Sequence, residues 1–427
     1  MKAFRLACLT VSLVFCSFSA VAQSPLHIDL DIDIEEAPFH YSETDDNNRV
    51  SRLIDKLKAK EIKLEYSREH GYLKSVLQAL EIPESSQALV FSKTSLQVRY
   101  ISRRNPRAIY FNDDTYVGWV NGSSMMEIST ADPKLGTAFY TVDMMPWRAK
   151  IEQAYYDCLG CHATTMTQGV PGHTIRSVLA TIDGSVDAQE ESFVTDDRSP
   201  FSQRWGGWFV TGLHGDMQHM GNAFLRGGAL DTRGMGNKLD LSDDFDSSNY
   251  LSPHSDIVAL MVLEHQTQLH NAMTRADFFV RQLIHDASGS QQDLAADPEW
   301  QAQLRLLAKD VVDRMLFCGE TPLTGEIKGS TPFAEEFAAF GPKDSQGRSL
   351  RELDLKTRLF KFPLSYLIYS SAFDALQEPL RQEIRRQIDQ VLRGETQSPE
   401  YAHLGEPVRR EILAILEETD AAVTPEG

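Results

Sequence analysis

The sequence predicts a mainly α fold with a small N-terminal antiparallel β-meander, an α+β arrangement, on three observations. Apolar residues recur at helical spacing in long blocks beyond residue 250. Between about residues 88 and 142 the period changes to strand-like alternation with Asn, Asp and Gly at the breaks. From about Gly169 to Asn249 glycine is frequent and apolar periodicity is weak, yet aromatic residues abound, which argues for an ordered, functional irregular region.

Taken in order, the chain opens on Lys2 and Arg5, continues through a mostly apolar Leu6 to Phe18, and reaches the small-residue site Ala20-Val21-Ala22. That pattern reads as a secretory signal peptide over residues 1–22, with the mature chain starting near Gln23. The apolar stretch is shorter than a membrane span requires, and no later stretch is long and charge-free enough. The expected product is therefore exported and soluble, in the periplasm, without membrane insertion after the signal is removed. Residues 23–48 form an acidic N-terminal arm that ends in cap candidates at Thr44-Asp45-Asp46-Asn47-Asn48.

Residues 49–145 are expected to hold two helices and the meander. Val50, Leu53, Ile54 and Leu57 make one helical stripe; Tyr72, Leu73, Val76, Leu77 and Leu80 make the next, before Pro83. Strands follow at Ala108 to Phe111, Tyr116 to Val120 and Met126 to Ile128, extended by Thr137 to Val142, with turns at Asn112-Asp113-Asp114 and Asn121-Gly122. Residues 146–290 begin with a predicted helix from Trp147 to Thr164. They end with a helix capped at Ser252-Pro253 and running to about His285. Its first part, Ile257 to Leu263, is apolar on every face, which implies full burial. Residues 291–427 form a C-terminal helical region: Glu299 to Phe317, Leu350 to Ala372, a stripe of Leu380, Ile384, Ile388, Val391 and Leu392, and a last one of Val408, Ile412, Leu413 and Leu416. About 400 residues can bury a substantial core, and the fold is expected to be one continuous unit.

Composition narrows the partners. Lys and Arg number 42 against 61 for Asp and Glu, a formal net charge of −19, and loss of Lys2 and Arg5 lowers it further. Nucleic acid and anionic lipid are disfavoured at that charge, whereas a basic redox partner is suited to it. Of 5 cysteines, Cys8 and Cys16 lie in the signal. Cys158, Cys161 and Cys318 remain, and a close pair with one distant residue cannot build a disulfide framework. Cys318 follows the apolar run Val311 to Phe317 and reads as a small buried hydrophobe.

The close pair carries the chemistry. Cys158-Leu159-Gly160-Cys161-His162 has the CxxCH form of covalent haem attachment. On a helical turn, residues three and four apart share a face, so two sulfurs can meet one porphyrin while the imidazole points at its iron. With 5 Cys and 12 His in 427 residues, random order would give such a pentad in roughly one chain in 600. Two alternatives stand beside it: a CxxC redox pair, which wants a thioredoxin-like setting, and half of a zinc site, which wants further Cys or His.

In these five residues the sequence resembles the c-type cytochromes. The resemblance implies one covalent haem c, with Cys158 and Cys161 as tethers and His162 as the proximal iron ligand, in a haem-binding helical domain. Elsewhere the chain is similar to an uncharacterised group of exported bacterial single-haem proteins, at Ala108 to Asp113, Arg204-Trp205-Gly206-Gly207-Trp208 and Phe362 to Tyr369. That likeness suggests one continuous architecture and implies no activity.

A small electron-transfer cytochrome needs only about 100 residues, so the remaining mass points to a substrate pocket or partner site. The densest ligand cluster for the sixth iron position is Gly212 to Asn222, which offers His214, Met217, His219 and Met220 on a glycine-punctuated loop. Trp205, Trp208 and Phe209 can wall a haem edge. His219 and His214 are the preferred distal candidates, with Met220 beside them. A rival lies on the buried helix, where Glu264 and His265 follow the apolar run and His270 and Asn271 come one to two turns later. His265 is a further distal candidate, and His219, His265 and Glu264 are candidate acid/base groups. His173 is a weaker option because of its nearness to the attachment site. The expected function is a periplasmic haem oxidoreductase, peroxidase-like or other. An electron-transfer cytochrome without its own substrate and a haem-based sensor or ligand-binding module are the alternatives.

Overall fold

The computed structural model describes residues 32–147, 149–186, 192–288, 294–396 and 398–419. The expected signal peptide, residues 1–22, lies outside the described residues, as does the start of the acidic arm. At the end of that arm Asn48 accepts from the backbone N–H groups of Val50 and Ser51, and Ser51 in turn accepts from the Asn48 N–H. This reciprocal cap starts helix α1, Arg49–Lys58, which is followed by α2, Leu73–Ala79.

A six-stranded antiparallel sheet comes next, with strands in sequential order: β1 Ala88–Val90, β2 Arg107–Phe111, β3 Thr115–Val120, β4 Met125–Asp132, β5 Gly136–Asp143 and β6 Lys150–Gln153. Along β4 the buried positions alternate strictly, so Met126 and Ile128 face inward while Glu127 and Ser129 face the other side. The inward face, with Ala108, Tyr110, Val117, Trp119, Ala138, Tyr140 and Val142, packs against Leu53 of α1 and Leu73, Val76 and Leu77 of α2. Helix α3, Tyr156–His162, follows the sheet. Short strand pairs β7 Arg176–Ser177 with β8 Phe193–Val194, and β9 Phe224–Arg226 with β10 Ala229–Asp231, punctuate the glycine-rich region.

The α-helices that follow are α4 Ile257–Ser288, α5 Pro298–Met315, α6 Phe333–Ala339, α7 Ser371–Asp374, α8 Glu378–Leu392 and α9 Glu406–Thr419. Helix α5 packs on both α4 and α8, and α9 packs on α8. From Ile32 onward the chain clusters as one compact unit.

The fold class differs from the expectation in weight. A mainly α description does not hold, because the chain is 36% helical and 16% strand and its sheet has six strands. Two elements account for the difference. The segment expected as a helix from Trp147 to Thr164 begins as β6, pairing Tyr140 with Gln153 and Val142 with Ile151; only Tyr156–His162 is helical. Pairing satisfies the free edge of β5, a gain that local propensity cannot register. The segment expected as a helix from Leu350 to Ala372 is instead irregular. Pro363 lacks the N–H a helix interior needs, and Ser365 and Ser370 cap separate short turns at Tyr366–Tyr369 and α7. Phe360, Phe362 and Tyr366 are all buried, so no period survives to be read.

The entry to α4 also differs. Ser252 is occupied by the side chain of Gln87, which donates to its carbonyl and hydroxyl, and the cap is Asp256. Asp256 Oδ1 accepts from the backbone N–H of Val258 at 2.8 Å and of Ala259 at 3.3 Å. Its Oδ2 accepts from Ser330 N at 2.7 Å, Thr331 N at 2.8 Å and Thr331 Oγ1 at 2.8 Å. A Cβ at Gly329 would stand 2.7 Å from that oxygen, which is why glycine precedes Ser330. One fully buried carboxyl therefore starts the helix and fastens a loop 74 residues away to it. Asp256→Ala should strand these donors and lower unfolding stability by about 2–4 kcal/mol, read as a shifted urea midpoint. Asp256→Asn, which keeps a cap acceptor, should lose clearly less; equal losses would show that the carboxyl is a spacer.

Candidate functional site

Helix α3 presents the pentad. Leu159 packs toward the core, which leaves Cys158 half-buried and Cys161 exposed, both as free thiols. Burial pushes the Cys158 thiol up to about 12, helped by the carboxylates of Glu127 and Asp157 and opposed by Arg107. A redox-active CxxC pair depends on the opposite, a depressed thiol at an electropositive position. Cys158 is therefore not placed as the attacking thiol of such a pair.

His162 closes the helix with its ring 5.0 Å from Phe139 of β5. Its Nδ1 lies 2.8 Å from the carbonyl oxygen of Gly172. A carbonyl can only accept, so Nδ1 carries the proton and Nε2 keeps its lone pair. Burial lowers the imidazole pKa, against the pull of the Gly172 hydrogen bond, and keeps the ring neutral at pH 7. This is the state in which histidine binds a metal.

The Gly172 carbonyl is itself fixed from α4. Asn271 Oδ1 accepts from His173 N at 2.8 Å and its Nδ2 donates to His173 O at 2.7 Å, a two-point clasp on the backbone. A Cβ at Gly172 would come 2.4 Å from that Oδ1, so the close approach requires glycine. The His173 ring is buried 4.2 Å from Tyr116 and 6.0 Å from His270, and burial holds its pKa well below the usual value. His270 donates from Nε2 to the Asp113 carbonyl at 2.8 Å. On the sheet face shared with Phe139, Arg107 pairs with Glu127 at 2.7 Å and lies across Gly118, where a Cβ would meet the guanidinium at 2.3 Å.

Two turns earlier on α4 is a buried charged group. Arg204 Nη1 lies 3.3 Å from Glu264 Oε2, with the two side chains 3% and 0% exposed. Burial pushes Glu264 up to about 8, and the Arg204 charge only partly opposes this. His265 sets Nε2 2.9 Å from Ser365 Oγ and Nδ1 3.6 Å from Asp197 Oδ1, with its ring stacked 4.2 Å from Phe317. Ser, His and Asp in this order suggest a hydrolytic triad, but Ser365 and His265 are sealed from solvent. They tie α4 to its neighbours.

The glycine-punctuated loop forms a separate buried cluster. His214 and His219 meet edge to face with centroids 4.6 Å apart, and Trp205 and Phe201 flank His219 at 5.3 and 6.0 Å. Trp208 turns elsewhere, donating its indole N–H to the Arg176 carbonyl. Met217 is buried and Met220 half-buried. The residues touching this pair are not those touching His162. Thus the predicted loop is a real cluster, and the predicted α4 group divides into the Glu264–His265 pair and the His270–Asn271 pair beside the pentad. The Asn271 clasp and the roles of Arg204, Asp197 and Ser365 were missed. Pro171-Gly172 ahead of His173 was the one local signal for the clasp; the others are joined only by tertiary contact. Among the described residues no group of three or more His, Cys, Asp or Glu is arranged to hold a metal ion.

The Glu264 carboxyl gives a signed pH prediction. Between the ordinary carboxylate range and about pH 8 the folded state keeps a proton that the unfolded state has lost, so stability falls as pH rises through that window. For this one proton the slope reaches about 1.4 kcal/mol per pH unit. Below the window both states are protonated, and above it both are charged. Asp196, Asp197 and Arg204 surround the site in both proteins, so Glu264→Gln should become more stable relative to wild type between pH 5 and pH 8. Parallel stability curves across that range would refute a protonated Glu264.

Comparison with protein-family models, with curated proteins and with solved structures finds no match for this chain.

Proposed function

We propose that this chain is an exported c-type haem protein acting as a periplasmic haem oxidoreductase. The observation that carries the reading is the His162 imidazole, held by its Nδ1–H on the Gly172 carbonyl with Nε2 free, at the end of the helix that bears two free thiols. The residues present fit the group: Cys158 and Cys161 would hold the porphyrin through thioether bonds, and His162 Nε2 would bind the iron. When bound, haem c supplies a one-electron redox centre. The protein's part is orientation and tuning. Asn271 fixes the Gly172 carbonyl, that carbonyl fixes the imidazole tautomer and raises its basicity, and Phe139 sets the ring plane. The Arg107–Glu127 pair puts balanced charge on the adjoining sheet face instead of an unpaired one.

Covalent attachment is the direct test. Denatured wild-type protein should keep haem staining on a denaturing gel, and replacing Cys158 and Cys161 with Ala should abolish it. Haem that extracts from wild type into acidified organic solvent would end the reading.

A second reading, an electron carrier without a substrate of its own, is favoured by the net charge of −19, which suits docking to a basic redox partner. Carbon monoxide separates the two. A reduced spectrum that shifts with carbon monoxide supports ligand chemistry at an accessible iron position, whereas an unchanged spectrum supports the carrier.

A further inference from the structure

We propose that His214 and His219 bind one soft monovalent metal ion, Cu(I), in a buried cluster distinct from the pentad. His214 donates its Nδ1–H to the Met217 carbonyl at 2.7 Å, which leaves the buried Nε2 with its lone pair and without a partner. His219 is completely buried, and neither of its ring nitrogens has a partner. Buried imidazole nitrogens are rarely left unsatisfied, and here three belong to two rings in contact. The indole N–H of Trp205 is also buried without a partner, but it can only donate, so it competes for at most one of the three imidazole nitrogens. Trp205 and Phe201 present aromatic surface, Val210 stands on the other side, and the exposed Asp216 points its neighbourhood to solvent.

The geometry selects the ion. With one ion bound through a nitrogen of each ring, each centroid stands about 3 Å from it, and centroids 4.6 Å apart then correspond to a bent angle of about 100° rather than a linear one. A bent site calls for a third donor, and the same loop carries the thioethers of Met217 and Met220. Two neutral imidazoles and a thioether are a soft, uncharged set. Zinc would bring two charges into a sealed apolar cluster and ask for four ligands, whereas Cu(I) brings one charge and accepts three.

The backbone is built around the pair. A Cβ at Gly221 would stand 2.2 Å from Val210 Cγ2 and 2.9 Å from His219 Nδ1, so glycine there makes room for the ring. Asn222, at φ +70°, grips Val210 from both sides, accepting from its N–H at 2.8 Å and donating to its carbonyl at 2.9 Å. The loop is therefore fixed at the point where the second histidine leaves it. A merely structural histidine would use its nitrogens in such ties, as His270 and His265 do.

The test is anaerobic competition between the haem-loaded protein and bicinchoninate for Cu(I), read as loss of the chelator's colour. Wild type should withdraw one equivalent, and His214→Gln and His219→Gln should each weaken that binding by about 100-fold or more while the haem spectrum stays as in wild type. X-ray absorption at the copper edge of wild type, which needs no variant to fold, should show two imidazole nitrogens and a sulfur. A wild type that takes up no copper, equal uptake by the variants, or a copper shell of thiolates overturns the proposal. So does a haem spectrum changed by His219→Gln without copper, which would give the pair to the haem iron. Covalent haem attachment at Cys158 and Cys161 is read separately, so either conclusion can fail alone.

Discussion

Helix α4 is the constraint on which the rest of the structure depends. From Ile257 to Met273 every residue is buried, including Glu264, His265, Gln266, Thr267, Gln268, His270 and Asn271. Seven polar side chains in a sealed helix demand partners; Thr267 finds its own within the helix at the Glu264 carbonyl, while Glu264, His265, Gln266, His270 and Asn271 reach other parts of the chain. Gln266 donates to the Asn112 carbonyl and the Tyr116 hydroxyl and accepts from Tyr366, joining the sheet to the C-terminal region. His265 reaches Ser365, His270 reaches the turn at Asp113, and Asn271 clasps His173. Apolar burial alone would leave α4 free to slide or rotate. The polar ties specify one register, and the pentad's histidine inherits its orientation from that register through Asn271 and Gly172.

Legibility in the sequence follows the same division. Helices α1, α2, α5, α8 and α9 have one buried and one wet face, so their stripes are plain, and the burial of Ile257 to Leu263 was readable because no face there is polar. Strands β2 to β5 announced themselves by alternation and by turns such as Asn121-Gly122. Residues 350–372 and β6 were misread because tertiary pairing overrides local pattern: β6 is set by the open edge of β5, and the mostly buried run from Leu359 to Ile368 has no period. Asp256 as the cap of α4 was hidden because Ser252-Pro253 offers a better local signal, and only the prior commitment of Ser252 to Gln87 removes it.

At the candidate site, what was legible is what spacing encodes. Cys158, Cys161 and His162 lie within one helical turn, and His214, Met217, His219 and Met220 lie within two. The partners that give these residues a defined chemistry are distant in sequence. Gly172 is ten residues from His162, Asn271 is 98 from His173, and Arg204 is 60 from Glu264. No local pattern joins them, since each pair is matched by burial and geometry rather than by spacing. Glycine is the partial exception: Gly118, Gly172 and Gly221 each stand where a Cβ would strike a functional side chain or its support.

The length of the chain has a physical use in this arrangement. A 32-residue helix is about 48 Å long, so Asp256, Glu264 and Asn271 mark three stations along one rod, about 12 and 10 Å apart. The first fastens the loop at Ser330, the second meets Arg204, and the third sets the support of His162. Arg204 also faces Phe201, which touches His219, so packed contacts run unbroken from the histidine cluster through Arg204 and α4 to the pentad. Contiguity of this kind provides a route and does not by itself provide coupling, which requires an element with two arrangements that both ends bias. Glu264 lies on this route, and burial raises its pKa to about 8, so its proton decides whether Arg204 faces a charge or a neutral acid. A small electron carrier has no room for such a station; a chain of this length does.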